Sequence, residues 1–274
     1  MKQKIFLISA AILCFTFLSA HNLFIKLDTF FLKPESEVFV SLYNGTFSES
    51  EAVLARDRMI DVSVVLAGEA VAHPPKSDWF EKDNQTILKM KTGEPGTGLF
   101  GVSTSTRVGQ FTPEGFIDNM RHEGLLHVLD ERKRAGEEGL AVRKKYSKHV
   151  KAIFQVGDKL TDDFNTNLNY PIEFIPVTNP YALQVGDELT VLLLIDGKPA
   201  VGEMVYASFN DQYGHADDGT PIDVFQIRTD SKGEVSVNLS EAGHWYFRTV
   251  HLDKSTEEDA DYISNSAALT FEVK

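Results

Sequence analysis

Apolar and polar positions along the chain fall into two rhythms. Early segments "NLFIKL" (22–27), "EVFVSLY" (37–43) and "IDVSVVLA" (60–67) are short, rich in Val, Ile, Leu and Phe, and bounded by Gly, Pro, Asn or Ser. That pattern predicts strands, mainly antiparallel. "GTGLFGVSTSTRVGQF" (96–111) continues the style, and the period then lengthens. From Thr112 the run "TPEGFIDNMRHEGLLHVLDERKRAGEEG" opens on Thr-Pro-Glu and repeats Phe116, Met120, Leu125, Leu126 and Leu129 at spacings near three and four. This predicts helix, with Gly124 and Gly136 interrupting or ending it. A second helix is expected over about 140–154, because Val142, Tyr146, Val150 and Ile153 form one stripe.

Strands resume in "NYPIEFIPVTNPYALQVGDELTVLLLIDGKPAVGEMVYASF" (169–209), with a turn at "DGKP" (196–199). "FQIRTDSKGEVSVNL" (225–239), "GHWYFRTVHL" (243–252) and "AALTFEVK" (267–274) complete the series, with a hairpin turn expected at Asp230–Gly233. The pattern implies a mainly β chain of two β-sandwich-like domains. The first, 21–170, carries a helical insertion over about 112–155, and the second, 171–274, is an immunoglobulin-like or transthyretin-like sandwich. Trp245, Tyr246 and Phe247 read as core and sheet-face aromatics in it.

The first twenty residues have a separate character. Lys2 and Lys4 precede an apolar run from Ile5 to Leu18, and Ser19-Ala20 offers a small residue for signal peptidase. A signal peptide over 1–20 is expected, with cleavage after Ala20 and a periplasmic or secreted product. The run is about fourteen residues, short of the ~20 that span a bilayer as a helix, so no transmembrane segment is expected after cleavage.

Cys14 is the sole cysteine and lies in that run. A processed chain would have no thiol, which removes disulfides, zinc-thiolate sites and cysteine nucleophiles together. Without Lys2 and Lys4 the basic count falls from 27 to 25 against 40 acids, moving the net charge from −13 to −15. Nucleic acid is excluded as a partner on that balance.

Blocks "YSKHVKAIFQVGD" (146–158), "YPIEFIPVTNPYALQVGDELTV" (170–191), "DGKPAVGEMVYA" (196–207) and "RTDSKGEVSVNL" (228–239) carry a family resemblance. The chain resembles the secreted bacterial family called domain of unknown function 4198, with "GHWYFRTVHL" and "DADYISNSAALTFEV" (259–273) similar to its closing strands. The resemblance implies a β-rich extracytoplasmic protein with a carboxypeptidase-regulatory-like C-terminal sandwich. It also implies kinship with periplasmic components of nickel and cobalt uptake. Ala267 departs from the family pattern, standing where an aromatic is usual, and a strand-edge position would account for it.

For chemistry, His21 is the sharpest feature. Cleavage after Ala20 would leave its α-amine beside its own imidazole, two nitrogens able to chelate one ion at neutral pH. Nickel, cobalt or copper suits such ligands. A third ligand is required, and His251 in "RTVHL" is the preferred one, with loop-borne His73 in "VAHPPK" next. Strict alternation points His244 and His251, seven apart, to opposite faces. His122 and His127, five apart, stand about 140° apart on one helix. His149 is expected to be solvated on the second helix. "QYGHADDG" (212–219) offers His215, Asp217 and Asp218 as a secondary divalent-ion site.

Enzymatic motifs are missing: no phosphate loop, no Gly-x-Ser-x-Gly elbow and no His-Glu-x-x-His. A non-enzymatic transition-metal-binding protein that passes its ion to a membrane transporter is the leading expectation. Its alternative is a structural or interaction module of the cell envelope with a protein or glycan partner.

Overall fold

The computed structural model describes residues 22–210, 212, 214 and 216–274. The expected signal peptide, Cys14, His21 and His215 lie outside them. In chain order the strands are β1 (Asn22–Lys26), β2 (Phe31–Leu32), β3 (Glu37–Gly45), β4 (Ser50–Ala52), β5 (Met59–Val65), β6 (Trp79–Lys82), β7 (Gln85–Lys91), β8 (Gly96–Thr104) and β9 (Arg107–Phe111). Helices α1 (Pro113–His122) and α2 (Leu126–Ala135) follow. Then come β10 (Val142–Val156), β11 (Ile172–Pro176), β12 (Glu188–Ile195), β13 (Lys198–Pro199), β14 (Met204–Phe209), β15 (Phe225–Arg228), β16 (Glu234–Asn238), β17 (Gly243–Lys254) and β18 (Tyr262–Val273).

These strands form three layers. The middle layer is a nine-stranded sheet of order β15-β14-β17-β18-β10-β8-β5, with β2 and β9 also paired to β10. A five-stranded sheet (β1-β3-β7-β6 with β4) covers one face through a core that includes Phe24, Phe30, Phe100, Phe154 and Tyr246. A four-stranded sheet (β11, β12, β13, β16) covers the other, packing Phe174, Leu193 and Val237 on Trp245, Phe247 and Leu269. The chain is therefore mainly β and sandwich-like. Its two sandwich-like halves share the middle sheet, joined where β10 runs parallel to β18 from Lys144↔Tyr262 to Ala152↔Thr270.

The helix predicted from Thr112 forms as two short pieces. Thr112 Oγ1 accepts the N–H of Gly115, capping α1 with Pro113 in its first turn. Gly124 (φ +72°) separates the pieces and Gly136 (φ +69°) ends α2. His122 and His127 thus sit on different helices.

The second expected helix is instead β10, a fifteen-residue strand. Its stripe at 142, 146, 150 and 153 mimics a helical period because both faces of a central strand are buried, which erases alternation over Val150–Val156. Buried Lys144 and half-buried Lys148, at even positions, hide alternation in the first half. Residue choice was the better guide, since Val, Ile, Tyr and Phe favour strands. His149, correspondingly, is buried rather than solvated, 2% exposed.

Two turns differ from each other. Asp196 and Gly197, both at positive φ, make the two-residue turn between β12 and β13 that "DGKP" predicts. The Asp230–Gly233 turn forms, with Gly233 N–H bonded to Asp230 O, but is no hairpin: it carries the chain from β15 in the middle sheet to β16 in the four-stranded one. Ala267 lies on no edge. It sits in β18 between β17 and β10, where a small side chain suits the buried contact with the four-stranded layer.

Candidate functional site

His251 lies near the end of β17, past the last pairing of β14 with that strand (Tyr206↔Arg248). With β18 still paired on one side and no strand on the β14 side, its ring reaches two carboxylates. Nδ1 stands 3.1 Å from Glu203 Oε1, and Nε2 2.9 Å from Asp253 Oδ2. The Glu203 hydrogen bond, more than any other influence, pushes its pKa up to about 9. At neutral pH both nitrogens donate and neither offers a lone pair. Metal binding here would require loss of a proton and of one carboxylate contact. A cavity of about 300 Å³ adjoins the ring, with His127 and Glu131 of α2 on its far wall.

The other predicted ligands are dispersed. His73 Nδ1 is 2.9 Å from the Val62 carbonyl and 3.4 Å from Asp61. It follows β5, four strands from β17 across the middle sheet, roughly 19 Å at the usual strand spacing. Asp217 and Asp218 are exposed. Asp218 is occupied by its own loop, accepting from the Thr220 hydroxyl and N–H, which hold its carboxyl below its ordinary range. His244 packs edge-on against Phe30, while His251 turns to Glu203, in keeping with their opposite faces. Among the described residues no group of three His, Cys, Asp or Glu side chains is placed to hold a metal ion.

The structure gathers polar groups that sequence patterns did not single out. On β10, Lys151 Nζ meets Glu173 at 2.7 Å, both almost wholly buried, and also donates to the carbonyls of Thr166 and Phe174. Glu173 in turn accepts N–H groups of Leu168 and Tyr170. His149 stands 2.9 Å from both Ser103 and Ser147, and Ser147 donates to Asn265. Arg248 and the Tyr246 hydroxyl share buried Asp223. The signal was "KKYSKHVK" (144–151): charged residues on both faces of a strand inside a protein must be paired within it.

A larger concavity opens on the five-stranded sheet. β6 stops at Trp79↔Leu88 while β7 continues to Lys91, leaving Lys89, Met90 and Lys91 paired to β3 on one side and with no strand on the β6 side. The resulting groove of about 630 Å³ is lined by Trp79, Phe80, Lys89 and Lys91, with Glu35 and Glu37 opposite. Phe80 is 42% exposed and meets Phe39, 49% exposed, edge to face. Glu37–Lys89 and Glu35–Lys91 ion pairs cross its floor.

A family model, "Domain of unknown function (DUF4198)", matches residues 18–253, spanning the helices and all three sheets. The chain belongs to this family. The match ends in β17, so the DUF4198 resemblance of "DADYISNSAALTFEV" lies beyond it. No curated protein matches. Solved structures with similarity include the "D0-D1 domain of Intimin", at 10% identity, covering 90% of this chain and 96% of that one, with a TM-score of 0.21. A Salmonella alpha-2-macroglobulin mutant matches at 11% identity over 91% of this chain and 15% of that one (TM-score 0.25). A group B streptococcus pilus 2b backbone protein matches at 7% over 91% and 98% (TM-score 0.17). Similarity at those scores carries no argument about function, and no helix among the described residues is long and apolar enough to cross a membrane.

Proposed function

We propose that this DUF4198 protein is a non-enzymatic binding module, exported to the cell envelope, that engages a protein or glycan partner there through the groove beside β6. The observation that carries this reading is the groove itself: the exposed Phe80 ring, met edge to face by the exposed Phe39 beside the groove, next to a stretch of β7 that no strand pairs on its β6 side, bordered by charges that already neutralise one another. Aromatic rings supply large contact area with few rotatable bonds, and an open ladder supplies backbone donors and acceptors. Internal polar clusters, in contrast, are consumed in holding the layers together.

Saturable retention of the purified chain on isolated cell envelopes tests it. Retention unaffected by a chelator and abolished by the pair Phe39→Asp and Phe80→Asp is expected. Retention that survives the pair, or disappears with chelator alone, overturns the reading.

A second reading has one feature in its favour: β1 begins at Asn22, directly after the residue that cleavage behind Ala20 would expose. Under it, a terminal His21 chelates nickel, cobalt or copper for a membrane uptake system. Equilibrium dialysis of the processed chain beside one carrying an extra N-terminal residue decides; equal affinity in both removes it.

A further inference from the structure

The cluster where α1 meets β10 has the composition of a self-forming cross-link. Lys144, Asn119 and Glu123 are 5%, 6% and 8% exposed. Lys144 Nζ donates to Asn119 Oδ1 at 2.5 Å. A carbonyl bond is about 1.23 Å, so Nζ lies no more than about 3.7 Å from the Asn119 amide carbon, near the range from which addition proceeds. Asn119 and Glu123 are four residues apart at the end of α1, joined by the Glu123 N–H to Asn119 carbonyl bond of 3.0 Å, which sends both side chains off one helix face. The surroundings are apolar: the Phe111 ring lies 5.1 Å from Nζ, with Phe116, Met120 and Val142 buried nearby.

We propose that Lys144 and Asn119 join through an intramolecular amide, with Glu123 carrying the proton between the two nitrogens. Neutral Nζ adds to Asn119 Cγ and forms the new C–N bond. Glu123 takes a proton from Nζ and hands it to Nδ2. The Cγ–Nδ2 bond breaks, one ammonia leaves, and a secondary amide remains; nothing is oxidised or reduced. Burial supports the first step by pushing the Lys144 pKa down to about 8, which makes the free amine accessible near neutral pH, while the Glu123 charge acts in the opposite direction. The bond would close the segment 119–144, holding both helices to the middle sheet. The only cysteine is Cys14, so no disulfide can do this for the described part of the chain.

A second Lys–Asn contact on the same strand, Lys148 Nζ to Asn44 Oδ1 at 2.8 Å, is longer, although burial pushes the Lys148 pKa down further, to about 7. It serves as the internal comparison.

Intact-mass spectrometry of the purified chain under denaturing conditions, with its N-terminus determined, tests the proposal. The expected mass is one ammonia below that of the sequence, with a branched peptide after proteolysis joining Asn119 to Lys144. Asn119→Ala, Lys144→Met and Glu123→Gln should each restore the sequence mass. The wild-type measurement decides by itself, whether or not a variant folds. An unshifted mass overturns the proposal. So does ammonia loss confined to a linear peptide at Asn119, or a branch at Lys148 and Asn44.

Discussion

Two histidines show how one side chain is tuned in opposite directions by what surrounds it. His251 gains two carboxylates, and its pKa rises to about 9. The unfolded chain binds that proton only below about 6.5. The stabilisation is therefore complete below about 6.5 and lost as pH climbs through about 9. Solvent reaches this ring, so the effect is on the order of 1 kcal/mol. His149 behaves in reverse, because burial between sheets drives its pKa down to about 4. Between about 6.5 and 4 the unfolded chain takes a proton that the fold excludes, so stability falls as pH drops through that window.

Urea denaturation across pH reads both limbs. His251→Gln should flatten the alkaline limb and leave the acid limb intact. His149→Leu should flatten the acid limb and cost about 1–3 kcal/mol at neutral pH, since it removes the ring partner of the buried Ser103 hydroxyl and leaves Ser147 with Asn265 alone. An alkaline limb unchanged in His251→Gln would place the carboxylate contacts outside the energetics of folding.

At the scale of elements, β10 concentrates what sequence periodicity hides. Its first half interleaves lysines with apolar residues, and its second half is buried on both faces, so neither half shows strand alternation. Strands β1, β3 and β5, and the cap of α1, are legible because short runs rich in Val, Ile, Leu and Phe between turn residues favour strands and one local hydrogen bond marks the helix start. The Lys151–Glu173 pair was not. Its partners are separated by twenty-two residues and by a change of sheet, and no local spacing encodes that contact. Lys151→Met should cost about 3–5 kcal/mol, because it strands the Glu173 carboxylate inside the core. Lys151→Met with Glu173→Gln should cost less than the two single changes summed, since the uncompensated charge is then gone. Strict additivity in chemical denaturation would contradict a coupled pair.

For the whole molecule, the consequence of a shared middle sheet is cooperativity. β10 is at once a wall of the core under the five-stranded layer and the parallel partner of β18, which lines the core under the four-stranded layer. Opening either side exposes the other, so calorimetry should show one transition in place of two separable ones. The same arrangement leaves the outer face of the five-stranded sheet as a surface displayed on a braced support. The end of β7, paired to β3 but with no strand on its β6 side, gives it an opening that no strand closes.

The groove's role is most directly tested by hydrogen exchange of the chain bound to isolated cell envelopes. Slowed exchange at the amides of Trp79–Phe80 and Lys89–Lys91, with the cavity beside His251 unchanged, is the predicted footprint. Protection confined to the His251 cavity or to the first strand, with the β6–β7 groove exchanging as in the free chain, would contradict the account.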